Sequence, residues 1–282
     1  MEEAIAPPVA GEAEPTVGPI TPDQPALVLF VLDRSVDDPF SGNMRNACVR
    51  LQQQLGDLLE QIVKFGGGAI DVGVVSYGVD GMGEVEVRTM LEGGLSMRPF
   101  ARDHELEAGA VRIDETTEEI PNGVGGLISI THRRPVLVEA EPTYAAAATP
   151  AFAKASELVS TWCAEHPAAG APPVVIHLTR GRLDESDAQS AVAQLTAVTT
   201  PRGAPVLYHL VETEADHVTV VCPGDESPLA DPSLQCLWRL TGPLLGRVEL
   251  AAEKPSVSEQ SRGMVVNGKP NLLLDALRRA CG

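Results

Sequence analysis

The sequence has few cysteines, few basic residues and no long apolar run, and each shortage excludes a class of protein. Five cysteines are scattered over 282 residues without a Cys-x-x-Cys pair, so neither a disulfide framework nor a structural zinc site is expected. Lys and Arg number 21 against 39 Asp and Glu, and the net charge of −18 argues against nucleic-acid binding because it repels phosphate backbones. No stretch approaches the roughly 20 apolar residues of a membrane span, so no membrane association is expected. The N-terminus lacks the basic and apolar regions of a signal peptide, so we expect a cytoplasmic protein.

Residues 1–25 are acidic and rich in proline. They contain Glu2, Glu3, Glu12, Glu14 and Asp23, six prolines and no Lys or Arg. Such a segment buries too little apolar surface to offset its chain entropy. We therefore predict a disordered tail over 1–25 and a single domain over 26–282.

The start of that domain alternates between buried strands and helices. Residues 26–32 form a continuous run of seven apolar residues, typical of a strand buried on both faces. An amphipathic helix is predicted over 43–64 and a second apolar strand over 71–77. After residue 149 the alternation resumes with a helix, a strand at 173–179, a helix around 188–198 and strands at 206–211 and 217–221. Two short helices around 234–240 and 272–280 complete the chain.

This pattern predicts an α/β fold with a doubly wound, mostly parallel sheet flanked by helices. Residues 84–140 differ, because short alternating runs are separated by turn-rich polar residues. We interpret them as a hairpin-rich insertion, in part at the edge of the sheet and in part an elaboration on its rim.

Ligands of such sheets bind where the loops converge at the carboxyl ends of the strands. Three segments carry suggestive side chains there: Asp33-Arg34-Ser35-Val36-Asp37 after the first strand, Thr149 at the start of the central helix, and Thr179-Arg180-Gly181 after a later strand. Thr149 followed by Pro150 is a helix-start pattern, with the hydroxyl residue predicted as the N-cap. Thr143 is a weaker candidate for the same position, because no helix-start signal follows it directly.

The order of these motifs resembles the von Willebrand factor A domain, from about Ala26 to the C-terminus. That family has a strand, Asp-x-Ser-x-Ser, a long helix, a distant Thr, and a strand followed by Thr-Asp-Gly. Within the family, this sequence resembles most the bacterial cytoplasmic members found with tellurite-resistance-type or kinase and phosphatase systems. The features shared with them are Thr149-Pro150, Trp162 with His166, and the segment Arg262-Gly263-Met264-Val265-Val266-Asn267.

In the family, the Asp, two Ser, Thr and second Asp make a metal-ion-dependent adhesion site, in which Mg²⁺ leaves one position for an acidic residue of a partner. Asp33, Ser35 and Thr149 match three of these ligands. Asp37 replaces the second Ser and Arg180 replaces the second Asp. The resemblance therefore implies a degenerate adhesion site.

An arginine is a poor replacement for a metal ligand. Mg²⁺ prefers oxygen ligands and a guanidinium offers none. Two unit charges about 4 Å apart interact by roughly 4 kcal/mol at an effective dielectric of 20, and a divalent ion would about double the repulsion. Our hypothesis is that Arg180 replaces the metal and neutralises Asp33 and Asp37, so that no cofactor is expected. In the alternative, Asp37 compensates for Arg180 and a divalent cation such as Mg²⁺ is held by Asp33, Ser35, Asp37 and Thr149.

The expected function is a non-enzymatic protein-interaction module, a scaffold or adaptor in a bacterial multi-protein signalling, stress or defence system. The acidic chain favours a partner with a basic docking patch. The resemblance implies a kinase, phosphatase or ATPase as that partner.

The motifs that would indicate an enzyme are weaker than those that indicate an interaction module. A phosphatase-type hydrolase with Asp33 as nucleophile would need a second Asp where Ser35 stands. No Gly-x-Ser-x-Gly elbow and no P-loop occur. Six histidines are scattered with no pair at i, i+4, and His177 and His209 lie in apolar strands, where we expect structural, hydrogen-bonded histidines.

Overall fold

A computed structural model of the chain describes residues 15–36, 42–123, 125–139, 141–181, 185–213 and 219–282, apart from the side chains of 42–47, 185–188 and 191. Within these residues the strands are β1 (Ala26–Asp33), β2 (Ile70–Val79), β3 (Val85–Arg88), β4 (Phe100–Arg102), β5 (Arg112–Pro121), β6 (Leu127–Val136), β7 (Val174–Thr179), β8 (Val206–Val211), β9 (Val220–Val221) and β10 (Met264–Val266). The helices are α1 (Gly42–Phe65), α2 (Leu106–Gly109), α3 (Ala148–Glu165), α4 (Glu185–Thr196), α5 (Pro232–Leu240), α6 (Arg247–Glu253) and α7 (Asp275–Ala280). No helix of this described part is long and apolar enough to cross a bilayer.

One mixed sheet organises the molecule, in the order β3-β2-β1-β7-β8-β10-β9, with β4 also paired to β2. Its central strands β2, β1, β7, β8 and β10 are parallel to their neighbours, whereas β3, β4 and β9 add antiparallel edges. The prediction of a mostly parallel α/β sheet flanked by helices is confirmed at this level, and the architecture is compatible with a Rossmann-like fold.

Alternate residues of β1 face two separate apolar layers, as the period of two along a strand requires. Val28, Phe30 and Leu32 belong to the layer that contains the buried face of α1. Leu27, Leu29 and Val31 belong to the layer that α3 and α4 cover. Burial on both faces explains why β1 consists of apolar residues without alternation.

The predicted insertion over 84–140 has two parts. The short strands β3 and β4 extend the main sheet at β2. In contrast, β5 and β6 form a separate two-stranded ribbon. The base of this ribbon packs on α1, where Arg134 forms an ion pair with Asp57, and the His132 ring and the Arg133 main-chain N–H contact the Glu60 carboxylate.

The boundary of the predicted disordered tail is wrong for residues 15–25. The main-chain N–H groups of Thr16, Gly18 and Ile20 donate to the carbonyls of Arg202, Gly170 and Ala280, and Ile20 is buried. An extended, proline-rich chain can add to a folded surface through its remaining N–H groups, so a segment with little apolar surface was ordered by main-chain hydrogen bonds to the domain. Residues 1–14 lie outside the described residues.

The C-terminal third contains two elements that the sequence pattern did not predict. Helix α6 was missed, and β10 lies between β8 and β9, so the predicted strand at 217–221 is not the neighbour of β8. Only Val220 and Val221 of that predicted strand form β9, and residues 217 and 218 lie outside the described residues. β10 has three residues, too short for periodicity to reveal it.

Candidate functional site at the carboxyl end of the sheet

Asp33, the last residue of β1, is a buried carboxylate whose side chain is 1% exposed. Its Oδ1 accepts the main-chain N–H of Ser35 at 2.8 Å, and its Oδ2 accepts the Thr179 hydroxyl at 3.2 Å. The Ser35 hydroxyl and the main-chain N–H of Arg180 also donate to this carboxylate. The structure thus brings the loops after β1 and β7 together around Asp33.

Thr143, the weaker sequence candidate, lies directly against the loop after β1. Its N–H donates to the Arg34 carbonyl and its own carbonyl accepts the Val36 N–H, both at 2.8 Å, and it pairs with Ser35 as an isolated bridge. Thr143 is 5% exposed, and its Oγ1 has no hydrogen-bond partner among the described residues. Of the two candidate threonines, Thr143 is therefore the one that pairs with the loop containing Ser35.

Thr149 is not the N-cap of the central helix, contrary to the prediction. Helix α3 begins at Ala148, its N-cap is Ala147 without a side-chain capping bond, and Thr149 is a half-buried residue of the first turn. The helix begins before Pro150 because the first-turn N–H groups have no intrahelical acceptor, so proline is tolerated there.

The close approach of Thr143 depends on Gly78 in β2. A Cβ at position 78 would lie 1.9 Å from Thr143 Oγ1. Only a residue without a side chain allows the segment at 143–145 to pair with both the Asp33 loop and the end of β2, where the Val79 N–H donates to the Ala145 carbonyl.

Arg180 follows Thr179 at the end of β7, and its side chain is buried. The main-chain N–H of Arg180 donates to the Asp33 carboxylate. The next residue, Gly181, has a φ of +89° and donates its N–H to Thr179 Oγ1, so the chain turns sharply here. The cluster of Asp33, Ser35, Thr179 and Arg180 is called the pocket below. The sequence prediction placed Asp33, Ser35 and Arg180 together, and the structure does bring these three together.

Charges in the pocket act on titratable groups around them. Burial raises the pKa of Asp33, against the hydrogen bonds from Ser35, Thr179 and Arg180 that lower it. Burial also raises the pKa of the Cys48 thiol to about 11, with a further rise from the Asp33 charge and opposing effects of Arg180 and Arg34. Cys48 Sγ lies 3.3 Å from the Arg34 carbonyl, so α1 closes this side of the pocket.

Arg34 is a buried cation within the same loop, with a side chain that is 1% exposed. Its Nη2 pairs with Glu86 Oε2 on β3 at 2.7 Å, and its main-chain N–H donates to the Tyr77 carbonyl at 3.0 Å. Arg88 and Arg34 lower the pKa of Glu86 through hydrogen bonds. The ion pair ties the loop after β1 to the edge of the sheet.

Beneath Asp33, on the sheet face covered by α3, three polar side chains lie in the core. Tyr77 Oη is 2.7 Å from His177 Nε2, and the Nδ1 atoms of His177 and His209 are 3.2 Å apart. Burial lowers the pKa of His177 well below its usual range and that of His209 to about 3, so both rings are neutral at neutral pH. The expectation of structural, hydrogen-bonded histidines is confirmed.

Glu212, immediately after β8, is a second buried carboxylate at this end of the sheet, and sequence reasoning missed it. Its N–H donates to the Thr179 carbonyl at 3.0 Å, and its carboxylate contacts Gln54 Nε2 at 3.0 Å and Arg50 Nε at 3.4 Å. Burial raises its pKa. Glu212 directly follows the apolar run of its strand, as Asp33 does, and this position in the sequence could have identified it as a candidate site residue.

The described residues fit a divalent cation poorly. No group of three or more His, Cys, Asp or Glu side chains suited to a metal ion occurs among them. The Asp33 oxygens already accept several donors, and the Arg180 charge acts on the same pocket. Thr143 Oγ1, beside the loop of Asp33, lacks a partner among the described residues and would suit a ligand atom. Asp37, the other predicted carboxylate, lies outside the described residues.

Comparisons with known proteins leave the family open. No protein-family model and no curated protein matches the sequence. Among solved structures, the chain is similar to the pilus adhesin SpaC from Lactobacillus rhamnosus GG in its open conformation, with 10% identity and a TM-score of 0.44. That match covers 94% of this chain and 30% of the adhesin, so the chain spans less than a third of that structure.

Proposed function

We propose that this chain is a non-enzymatic protein-interaction module of the von Willebrand A type, with a degenerate adhesion site that works without a metal ion. The observation that carries the proposal is the buried Asp33 carboxylate, held by Ser35, Thr179 and the main chain of Arg180 at the carboxyl end of the sheet. The module acts as a scaffold or adaptor in a bacterial multi-protein system.

In this proposal Arg180 supplies the positive charge that a magnesium ion would bring. A buried carboxylate without a nearby positive charge is strongly disfavoured. The influence of both Asp33 and Arg180 on Cys48 supports a pocket in which opposite charges lie close together. The guanidinium also matches carboxylates bidentately, which would suit Asp37 or an acidic group of a partner.

The proposal has no catalytic step. Asp33 is 1% exposed and both of its oxygens accept hydrogen bonds, which supports a positioning role over that of a nucleophile for phosphate esters. The net charge of −18 favours a partner with a basic docking patch, and the resemblance to the bacterial family members suggests a kinase, phosphatase or ATPase.

A second candidate keeps the interaction module and restores the cation, with Asp37 compensating for Arg180. The hydroxyl of Thr143, buried beside the Asp33 loop and without a partner in the described part of the chain, is the observation that favours it. Thr143 would then replace Thr149 in the predicted ligand set.

Affinity purification with mass spectrometry from native cells at low and high salt tests the docking role. We compare the wild type with the isosteric double variant Asp33→Asn, Arg180→Gln, and with Glu157→Ala, which changes an exposed charge of α3. A partner retained by the wild type and Glu157→Ala, lost from the double variant and weakened by salt is the expected result. Equal recovery by all three proteins, or no recovered partner at low salt, would contradict the proposal.

A further inference from the structure

Residues 116–121 and 127–131 form the outer ribbon, the half of the β5–β6 hairpin that lies farther from α1. Ile120 is half-buried there, and the other residues of these two ranges are exposed. A two-stranded ribbon is at best marginally stable in water unless further strands or a helix pack against it. The base of this ribbon has such support from α1, and the exposed outer ribbon is therefore a candidate for contact with another molecule.

Three isoleucines share one face of the outer ribbon. Ile120 lies directly opposite Ile128, and Ile130 follows two residues after Ile128 on the same face. Ile128 is 51% exposed and Ile130 is 37% exposed. His132 and Arg134 continue this face toward the base, where they contact α1. One face of the ribbon is thus covered by the helix at its base and carries an open apolar stripe at its end.

The carboxylates at the base of the ribbon have arginine partners, whereas those of the outer ribbon do not. The base pairs are Arg112 with Asp114 and Glu139, Arg133 with Glu107 and Glu115, and Arg134 with Asp57. Residues 116–132 contain no Lys or Arg, and within the described part of the chain neither Glu118 nor Glu119 has a Lys or Arg partner. The outer ribbon therefore combines an apolar stripe with uncompensated negative charge.

This charge decides between the possible occupants of the stripe. A second copy of the chain would bring the same glutamates and a net charge of −18 against them. Residues 1–14 contain four glutamates and no Lys or Arg, so they are repelled in the same way. Phosphate-bearing surfaces are negative as well. A protein segment that carries both aliphatic and basic side chains matches the surface, because it covers the isoleucines while its long cationic side chains reach the glutamates.

We propose that the outer ribbon is a second docking surface, which binds an extended segment of a partner protein in which aliphatic residues alternate with lysine or arginine. In an extended segment, alternate side chains fall on one face, as the aliphatic stripe requires. Within the described part of the chain β5 pairs with β6 alone, so its outer edge leaves room for such a segment. No residue of this surface belongs to the pocket. The inference therefore goes beyond the proposed function and does not depend on Asp33.

Methyl NMR of protein labelled with carbon-13 at isoleucine tests this surface in a titration with the peptide Lys-Val-Lys-Val-Lys-Val. We expect the methyl signals of Ile120, Ile128 and Ile130 to shift, and the binding to weaken as salt is raised. The peptide Glu-Val-Glu-Val-Glu-Val should leave them unchanged. No shift with the lysine peptide, or equal shifts with both peptides, would overturn the proposal. Shifts that depend on protein concentration without peptide would overturn it too, because they identify a second copy as the occupant.

Two variants separate the apolar contribution from the other face of the ribbon. Ile128→Thr combined with Ile130→Thr should weaken binding of the lysine peptide by about tenfold, because two apolar contacts are lost. Leu127→Thr is the matched control, since Leu127 is also exposed but lies opposite Pro121 on the other face. An equal loss in both proteins, or none in the isoleucine variant, would refute the role of the stripe.

The charge contribution is tested in the same titration. Glu118→Gln combined with Glu119→Gln should weaken binding by about threefold to tenfold, as expected for two exposed ion pairs. Glu157→Gln combined with Glu165→Gln changes the net charge equally on exposed positions of α3 and should have little effect. Equal losses in the two double variants would show attraction by net charge alone and would contradict a specific surface.

The variant Asp33→Asn separates this surface from the pocket. It should bind the lysine peptide as tightly as the wild type, whether or not it retains a partner in the affinity purification. Loss of peptide binding in Asp33→Asn would place the interaction at the pocket and overturn the proposal.

Discussion

Replacing Asp33 by Asn should stabilise the fold at neutral pH, although it removes the central residue of the site. Asn has the same shape, so Oδ1 can still accept the Ser35 N–H while Thr179 rotates its hydroxyl to accept from the new amide. What the variant removes is a charge with a 1% exposed side chain, whose burial raises the pKa of Asp33. A more stable Asp33→Asn variant would show that the charged Asp33 lowers the stability of the wild-type fold, as strained residues of functional sites do.

The linkage between proton binding by Asp33 and folding sets the direction in which stability changes with pH. Because the pKa of Asp33 is raised in the folded protein, the folded state holds this proton more tightly than the unfolded state. Stability from this group is therefore complete below the ordinary aspartate pKa and is lost as pH rises through the folded-state pKa. Each pKa unit of difference corresponds to about 1.4 kcal/mol.

The difference in unfolding free energy between Asp33→Asn and the wild type should be small near pH 3 and grow in favour of Asn as the pH rises through the folded-state pKa of Asp33, so that it is largest at pH 7. The Tm of Asp33→Asn should therefore lie above that of the wild type at pH 7, and the gap should close toward pH 3. Thermal and urea unfolding followed by circular dichroism at several pH values gives the difference directly, since other carboxylates titrate equally in both proteins. A variant less stable than the wild type at pH 7, or a difference independent of pH, would refute the reasoning.

Two further substitutions test how the site is built. Glu86→Gln should destabilise the fold by about 1–3 kcal/mol, because it weakens the partner of the buried Arg34. Glu141→Gln, which removes an exposed partner of Arg88, should change stability by less than about 1 kcal/mol, and equal effects in urea unfolding would contradict the assignment. Gly78→Ala should cost about 1–3 kcal/mol, because its Cβ would overlap Thr143 Oγ1. Adding Thr143→Gly should restore part of that loss, and an unaltered Tm in Gly78→Ala would show that the segment at 143–145 is not held as described.

The sequence predicted the central sheet because buried parallel strands leave continuous apolar runs, as in residues 26–32. It failed where that signal is weak: β10 has three residues, and the extended chain at 15–25 is held by isolated main-chain hydrogen bonds. These contacts depend on partners distant in the chain, such as Ala280 for Ile20, which no local pattern encodes.

At the site, sequence order predicted that Asp33, Ser35 and Arg180 lie near one another, as they do, because strand ends of a parallel sheet converge. It chose Thr149 over Thr143 because a helix-start pattern is local, whereas the position of Thr143 depends on pairing with the Asp33 loop and on space beside Gly78. Tyr77 could have been found from the period of two along its strand, since it lies on the α3 face of the sheet next to Asp33.

Calorimetric titration with Mg²⁺ and Mn²⁺ tests the central claim, that a guanidinium has taken the place of the metal ion. The wild type should show no binding at micromolar concentrations, and Arg180→Asp should gain it, because the change removes the competing cation and adds an oxygen ligand. Micromolar binding by the wild type, strengthened in Arg180→Asp, would contradict the account and establish a cation site in its place.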